Sequence, residues 1–182
     1  MRLTGVLLLA LLLTACAKPG TQPRNTLPTP GVSPSAGASP SLEEESAACP
    51  EGGVKITADR GDAAMGYREM GLHLANCGDR PVTVNGQPEV VVLGQDRDVQ
   101  DIAIVPGVRH NEPAQPLTLA PGQSTTAVLA WRNTYDDISK PPVSGVYLSV
   151  APAPGGPRQI VKPPVPLDLG STGRLEVSVW LK

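Results

Sequence analysis

From residue 49 to the C-terminus, apolar side chains fall in short runs that alternate with polar ones and are punctuated by Gly and Pro. Met70, Leu72 and Leu74 share one parity, and Glu69 and His73 share the other. Ala127, Leu129 and Trp131 form a second apolar row, and Leu175, Val177, Val179 and Leu181 a third. Successive side chains of a strand point to opposite faces, so each row reads as one buried face. On this pattern strands are predicted at 54–58, 67–76, 82–84, 89–93, 102–105, 124–132, 146–150, 159–161 and 175–181. No stretch carries a helical repeat, and 15 prolines in this region argue against one. Short alternating strands between turn residues predict an all-β domain, a sandwich or a barrel.

The N-terminus has a different pattern. Residues 3–13 are apolar apart from Thr4 and Gly5, and follow a single basic residue, Arg2. This run is too short to span a bilayer, which takes roughly 20 helical residues. Its length suits the apolar region of a secretory signal. It ends Leu13-Thr14-Ala15-Cys16, which resembles the lipobox of bacterial lipoproteins. The resemblance implies cleavage before Cys16 and acylation of its thiol. Acyl chains contribute roughly 0.8 kcal/mol per buried methylene, so several chains make a lasting anchor. The expected location is the extracytoplasmic face of a cell membrane.

Residues 17–48 hold six prolines, many small polar residues and two leucines, Leu27 and Leu42. So little apolar surface cannot offset chain entropy, and a disordered stalk is predicted. As a flexible coil it reaches roughly 30 Å, and as polyproline about 100 Å. The expected organisation is a signal peptide at 1–15, a lipidated cysteine and linker at 16–48, and a β domain at 49–182. Loss of residues 1–15 removes Arg2 and leaves a net charge of −3. Lys and Arg are spread singly along the chain, unlike the clusters that grip phosphate backbones, so no nucleic-acid partner is expected.

The chain has no Phe, and the predicted domain holds Trp131, Trp180 and three tyrosines as its only aromatics. A core of Val, Leu, Ile and Ala gains from a covalent staple. With Cys16 acylated, Cys49 and Cys77 remain, and in an oxidising compartment two such thiols commonly pair. Closing that loop contributes roughly 3.5 kcal/mol in the chain-entropy treatment.

Three stretches together carry a family resemblance: Leu72-His73-Leu74-Ala75-Asn76, Val84-Asn85-Gly86-Gln87-Pro88-Glu89-Val90, and Leu119-Ala120-Pro121-Gly122-Gln123 running on to Leu129-Ala130-Trp131. With Cys49 at the start, the chain resembles the bacterial lipoprotein domain-of-unknown-function family 4232 over roughly residues 49–150. The resemblance implies an immunoglobulin-like antiparallel β-sandwich and assigns no activity. Val82 stands where that family usually has a cysteine, and Cys77 lies five residues earlier. Pro121-Gly122 suits a type II turn, in which Gly takes the positive φ.

Candidate chemistry is sparse. His73 sits between Leu72 and Leu74 and is expected on a solvent face; His110 lies in the 106–113 loop beside Arg109 and Glu112. A Gly-x-Ser-x-Gly elbow is lacking. Met65, Met70 and His73 suggest Cu(I) ligands, but Met70 and His73 have opposite parity, so no metal site or cofactor is expected. Asp96, Asp98 and Asp101 resemble a cation loop only loosely, because Arg97 interrupts them and the closing Glu is missing. Asp136 and Asp137 follow Trp131 and Tyr135 as a further loop edge. Asp96, Asp98, Asp101, Arg109, His110, Asp136 and Asp137 are therefore the candidate binding residues. The function expected is a non-enzymatic, lipid-anchored cell-envelope protein whose domain binds an envelope protein, a glycan or a small ligand. The alternative is a cell-envelope hydrolase using loop carboxylates.

Overall fold

A computed structural model describes residues 48–182 of the chain. The expected signal peptide, Cys16 and nearly all of the linker lie outside the described residues. The described part is all-β: β1 (Val54–Ala58), β2 (Asp62–Ala64), β3 (Tyr67–Asn76), β4 (Val82–Val84), β5 (Glu89–Leu93), β6 (Ala103–Pro106), β7 (Leu117–Leu119), β8 (Ser124–Arg132), β9 (Val143–Gly145), β10 (Tyr147–Ala151), β11 (Gln159–Val161), β12 (Leu167–Gly170) and β13 (Arg174–Val177). One layer is a six-stranded sheet in the order β1-β3-β8-β13-β6, with β2 also on β3. The other is built from β11-β10-β5 and two ribbons, β12-β9 and β4-β7. The predicted rows form the core between them: Leu72, Leu74, Ala127, Leu129 and Leu175 face Val92, Leu148, Val150 and Leu167, all buried. This is the expected immunoglobulin-like β-sandwich.

One pairing departs from the antiparallel expectation. β6 runs parallel to β13, with Ala103 beside Arg174 and Pro106 beside Val177. The chain reaches β6 by crossing from β5 in the other layer, so no hairpin dictates its direction.

β1 and β2 are one bent strand on the same edge of β3. Ala58 pairs with Leu72, while Asp62 pairs with Glu69, so the first strand carries one residue more than its partner. That extra residue is a bulge. Gly61 takes a φ of 66° there, and a Cβ on it would strike the Glu69 carbonyl. The hairpin then turns through Met65 and Gly66, both at positive φ, as a type I′ connection requires.

The predicted strand 175–181 needs correction. Its regular part ends at Val177, and Val179 and Leu181 do not join the core. Ser178 is buried, its amide donates to Val128 O, and its Oγ takes the Val128 amide at 2.8 Å in place of the ladder carbonyl. Leu181 then bridges to Thr126, one register step late. The bulge reverses the parity, so Trp180 rather than Val179 turns inward and bonds Pro152 O through its indole at 2.8 Å.

The exposed edge of β1 is closed by a side chain. Gln159 of β11 accepts from Ile56 N at 3.1 Å through Oε1 and donates to Val54 O at 2.9 Å through Nε2. Its amide mimics a strand residue and ties the two layers together at the edge. Gln159→Glu keeps the acceptor but not the donor and sets a carboxylate against a carbonyl. Chemical denaturation is expected to show a loss of about 1–2 kcal/mol, the range for an orphaned polar group. Wild-type stability in that variant would mean that the amide does not hold the edge.

Candidate functional site

The outward parity of three neighbouring strands assembles a cleft on the six-stranded sheet. Tyr67 of β3 pairs with Arg132 of β8, and Glu69 pairs with Ala130. Ala130 in turn pairs with Glu176 of β13, two residues after Arg174. The outer face therefore carries a row of Tyr67, Arg132 and Arg174 beside a row of Glu69, Ala130 and Glu176. Ala130 is small, and the segment Val108-Arg109-His110 crosses above it as a strap. Val108 N donates to Glu176 Oε2 at 3.0 Å, and His110 Nε2 lies 3.4 Å from Glu69 Oε1. Gly107, beside Ser178, lets the strap leave the sheet: a Cβ there would crowd His110 O at 2.8 Å.

Between strap and sheet lies a cavity of about 400 Å³, lined by Tyr67, Arg109, Trp131, Arg132, Arg174 and Glu176 among others. The Arg109 guanidinium stands 4.4 Å from the Tyr67 ring centroid and that of Arg132 5.5 Å. Arg174 reaches Glu176 at 3.6 Å. Tyr67 donates to Glu69 Oε1 at 2.8 Å. Its phenol is pushed up to about 12, first by burial and then by the hydrogen bond to Glu69 and that carboxylate's charge; Arg109 acts in the opposite sense. Because the folded state holds this proton more tightly, the stabilisation is complete below the unfolded value of 10.0 and is lost as pH rises through about 12. Phenolate absorbance of the folded chain should therefore show one late-titrating tyrosine that is missing in Tyr67→Phe. A Tyr67→Phe variant that keeps the late-titrating phenolate signal would contradict this.

A second polar cluster lies across Trp131. Asp168 of β12 accepts from Arg68 Nη2 at 3.1 Å, Trp131 Nε1 at 3.0 Å and Asn133 Nδ2 at 2.5 Å. Burial raises the Asp168 pKa, but the hydrogen bonds from Trp131 and Arg68, the Arg68 charge and Asn133 together outweigh it and hold the carboxyl below the usual range. These bonds hold the indole against the inner face of the six-stranded sheet, behind the residues of the cleft.

The candidate residues read from sequence go to different places. Arg109 lines the cleft and His110 anchors its strap. Asp136 and Asp137 are joined by Ser171, whose Oγ donates to Asp136 at 2.6 Å and accepts from Asp137 N at 3.1 Å. Ser171 precedes Thr172, which also lines the cleft, so this loop stands at the rim. Asp137 further accepts from Ser139 Oγ and N, which lower its pKa. Asp96 and Asp98 sit in the turn after β5, where Asp98 Oδ2 takes the Gln100 amide at 2.5 Å. Asp101 is exposed and borders a separate groove. Among the described residues no group of three or more His, Cys, Asp or Glu is placed to hold a metal.

Sequence reading did not find Tyr67, Arg132, Arg174 and Glu176 as site residues. It also missed a row on the same face: His73 Nδ1 lies 2.9 Å from Thr126 Oγ1, and His73 Nε2 lies 3.0 Å from Asp59 Oδ2. Gly71 leaves room for that pair, since a Cβ there would strike Asp59. The order hydroxyl–imidazole–carboxylate is that of a triad. Yet His73 and Asp59 are 41 % and 45 % exposed on the open sheet, and the nearby Gly61 and Gly71 amides both donate to Asp59 Oδ1 rather than facing a reacting oxygen.

Cys49 and Cys77 form the expected disulfide, with Cα atoms 5.6 Å apart. Two of the motifs that carried the family resemblance meet at its side. Asn76 Nδ2 donates to Leu119 O at 2.8 Å and Arg80 O at 2.9 Å, and the Asn76 backbone bonds Gly122 and Gln123. Gly122 has a φ of 81°, and Gln123 N closes the turn onto Ala120 O. Gly86 of the middle motif, at a φ of 80°, accepts from Trp180 N at 3.0 Å. No curated protein matches the chain significantly. Residues 49–181 match the family described as Domain of unknown function (DUF4232), and the chain belongs to it.

Proposed function

We propose that the chain is a non-enzymatic, lipid-anchored protein of the cell envelope whose immunoglobulin-like domain binds its ligand in the cleft beneath the Val108–His110 strap. The observation that carries this reading is the cleft itself: Arg109, Arg132, Arg174 and the Tyr67 ring line about 400 Å³, within the range of small-ligand sites. The lipobox-like sequence ending at Cys16 supports the anchor. The Cys49–Cys77 disulfide supports a place outside the cytoplasm, because such bonds persist in oxidising compartments. The hydrolase alternative draws on Asp136, Asp137 and Asp101. Serine hydrogen bonds occupy the first two, and Asp101 stands apart from the cleft.

Photo-cross-linking in intact cells tests the binding reading. A photoreactive residue at Val108 or Thr172, on the cleft wall, should give adducts that the same group at Thr83 or Thr118, on the β4-β7 ribbon, does not. Adducts at neither pair of positions, together with turnover of an envelope substrate that Asp136→Asn abolishes, would favour the hydrolase.

A further inference from the structure

The cleft's charge singles out a ligand class. The chain as a whole carries a net charge of −2, yet Arg109, Arg132 and Arg174 line one cleft with Glu176 as the only carboxylate among the lining residues. Like charges on neighbouring strands repel, and Arg132 and Arg174 lie on adjacent strands of one face. Glu176 does not relieve all three. It pairs with Arg174 and takes the Val108 amide. Arg109 and Arg132 have no carboxylate partner among the described residues; the Tyr67 ring holds them by cation–π contact. A guanidinium held by an aromatic ring rather than by a carboxylate keeps N–H donors for a ligand, and its fork matches the oxygens of a carboxylate or phosphate. Glu69 and Glu176 anchor the strap at its two ends, so Arg109 is positioned before any ligand arrives.

We propose that this cleft binds a small organic oxyanion, a carboxylate or a phosphate monoester. Arg109 and Arg132 grip the oxygens, Arg174 adds charge, and Val108 and Tyr67 meet the organic body. The cleft's small volume and its cover by the strap fit a small molecule, or a terminal group, rather than the flank of a polymer. The proposal rests on the binding reading above and gives it a chemistry.

Calorimetric titration of the full chain with phenyl phosphate, benzoate and uncharged benzyl alcohol tests it. Saturable binding of at least one oxyanion is expected, and the stronger of the two identifies the source. Affinity should fall with added salt, and benzyl alcohol should not bind. The double variant Arg109→Gln/Arg132→Gln should lose about tenfold or more in affinity, while Arg80→Gln, an exposed arginine outside the cleft, should not change it. Arg132→Lys, which keeps the charge but not the fork, should fall between and serves if the double variant does not fold. Absence of binding by both oxyanions, equal binding of benzyl alcohol, or full affinity in the arginine variants would overturn the proposal. Flat titrations alongside cross-links at Val108 would reject the oxyanion and leave the binding reading intact. Oxyanion binding without cross-links in cells would do the reverse.

Discussion

Asn76→Asp is expected to be among the most damaging single substitutions in the domain, with a loss of about 4 kcal/mol at neutral pH. Asn76 is 1 % exposed. Its Nδ2 serves the carbonyls of Arg80 and Leu119, and its Oδ1 takes Gly78 N at 3.1 Å. A carboxylate keeps the acceptor and removes both donors, leaving a buried charge that faces two carbonyl oxygens. Each orphaned polar group costs about 1–3 kcal/mol, and an unpaired buried charge adds to that. The defect should ease in acid, where the protonated carboxyl regains one donor. Urea denaturation of both chains across pH measures it. A loss below about 1 kcal/mol at neutral pH would show that residues 72–76 and 119–123 are not held together through this side chain.

Opening the Cys49–Cys77 disulfide is the second large effect. The two residues are 28 apart in sequence, and a loop of that size is worth roughly 3.5 kcal/mol. The native contacts around it add to the chain-entropy effect. Cys77 N and Gly78 N both donate to Gly53 O, and Gly53 N donates to Pro50 O, so the bridge and these bonds pin the start of the domain onto the end of β3. Cys49→Ala/Cys77→Ala should lower the denaturation midpoint accordingly. Combined with Asn76→Asp it should fall short of additivity, because both changes loosen the same turn. Full additivity would mean that the bridge and Asn76 act on separate regions.

Much of the scaffold was legible from residue type. Met70, Leu72 and Leu74, and Ala127, Leu129 and Trp131, declared their faces by parity alone, and those faces are buried. Pro121-Gly122 declared its turn because only the glycine position tolerates the φ that the turn needs. What stayed hidden depended on distant partners. β2, β7, β9 and β12 have three or four residues each, too few to show a period, and each is defined by the strand it pairs with. The parity reversal after Val177 arises from Ser178 Oγ capturing an amide of β8, which no local pattern encodes.

The cleft was hidden for the same reason. The outward parity of Tyr67 and Arg132 could be read, but not that β3 and β8 pair in a register setting them side by side. Arg109 was noticed as a loop residue. Its position over the Tyr67 ring follows from Glu69 and Glu176, which lie on two different strands. Asp136 and Asp137 drew notice as adjacent acids, and Ser171, from a turn more than 30 residues later in the chain, determines their geometry.

The central claim, an oxidised β-sandwich carried outside the cytoplasm on an acylated cysteine, is tested most directly by metabolic labelling with a palmitate analogue. The full chain and its Cys16→Ser variant are expressed in a bacterium and fractionated, and free thiols are alkylated before any reduction. The expected result is label and membrane association for the native chain, neither for the variant, and Cys49 and Cys77 protected from alkylation in the native chain. An unlabelled native chain in the cytosolic fraction, with both of those thiols alkylated, would contradict it.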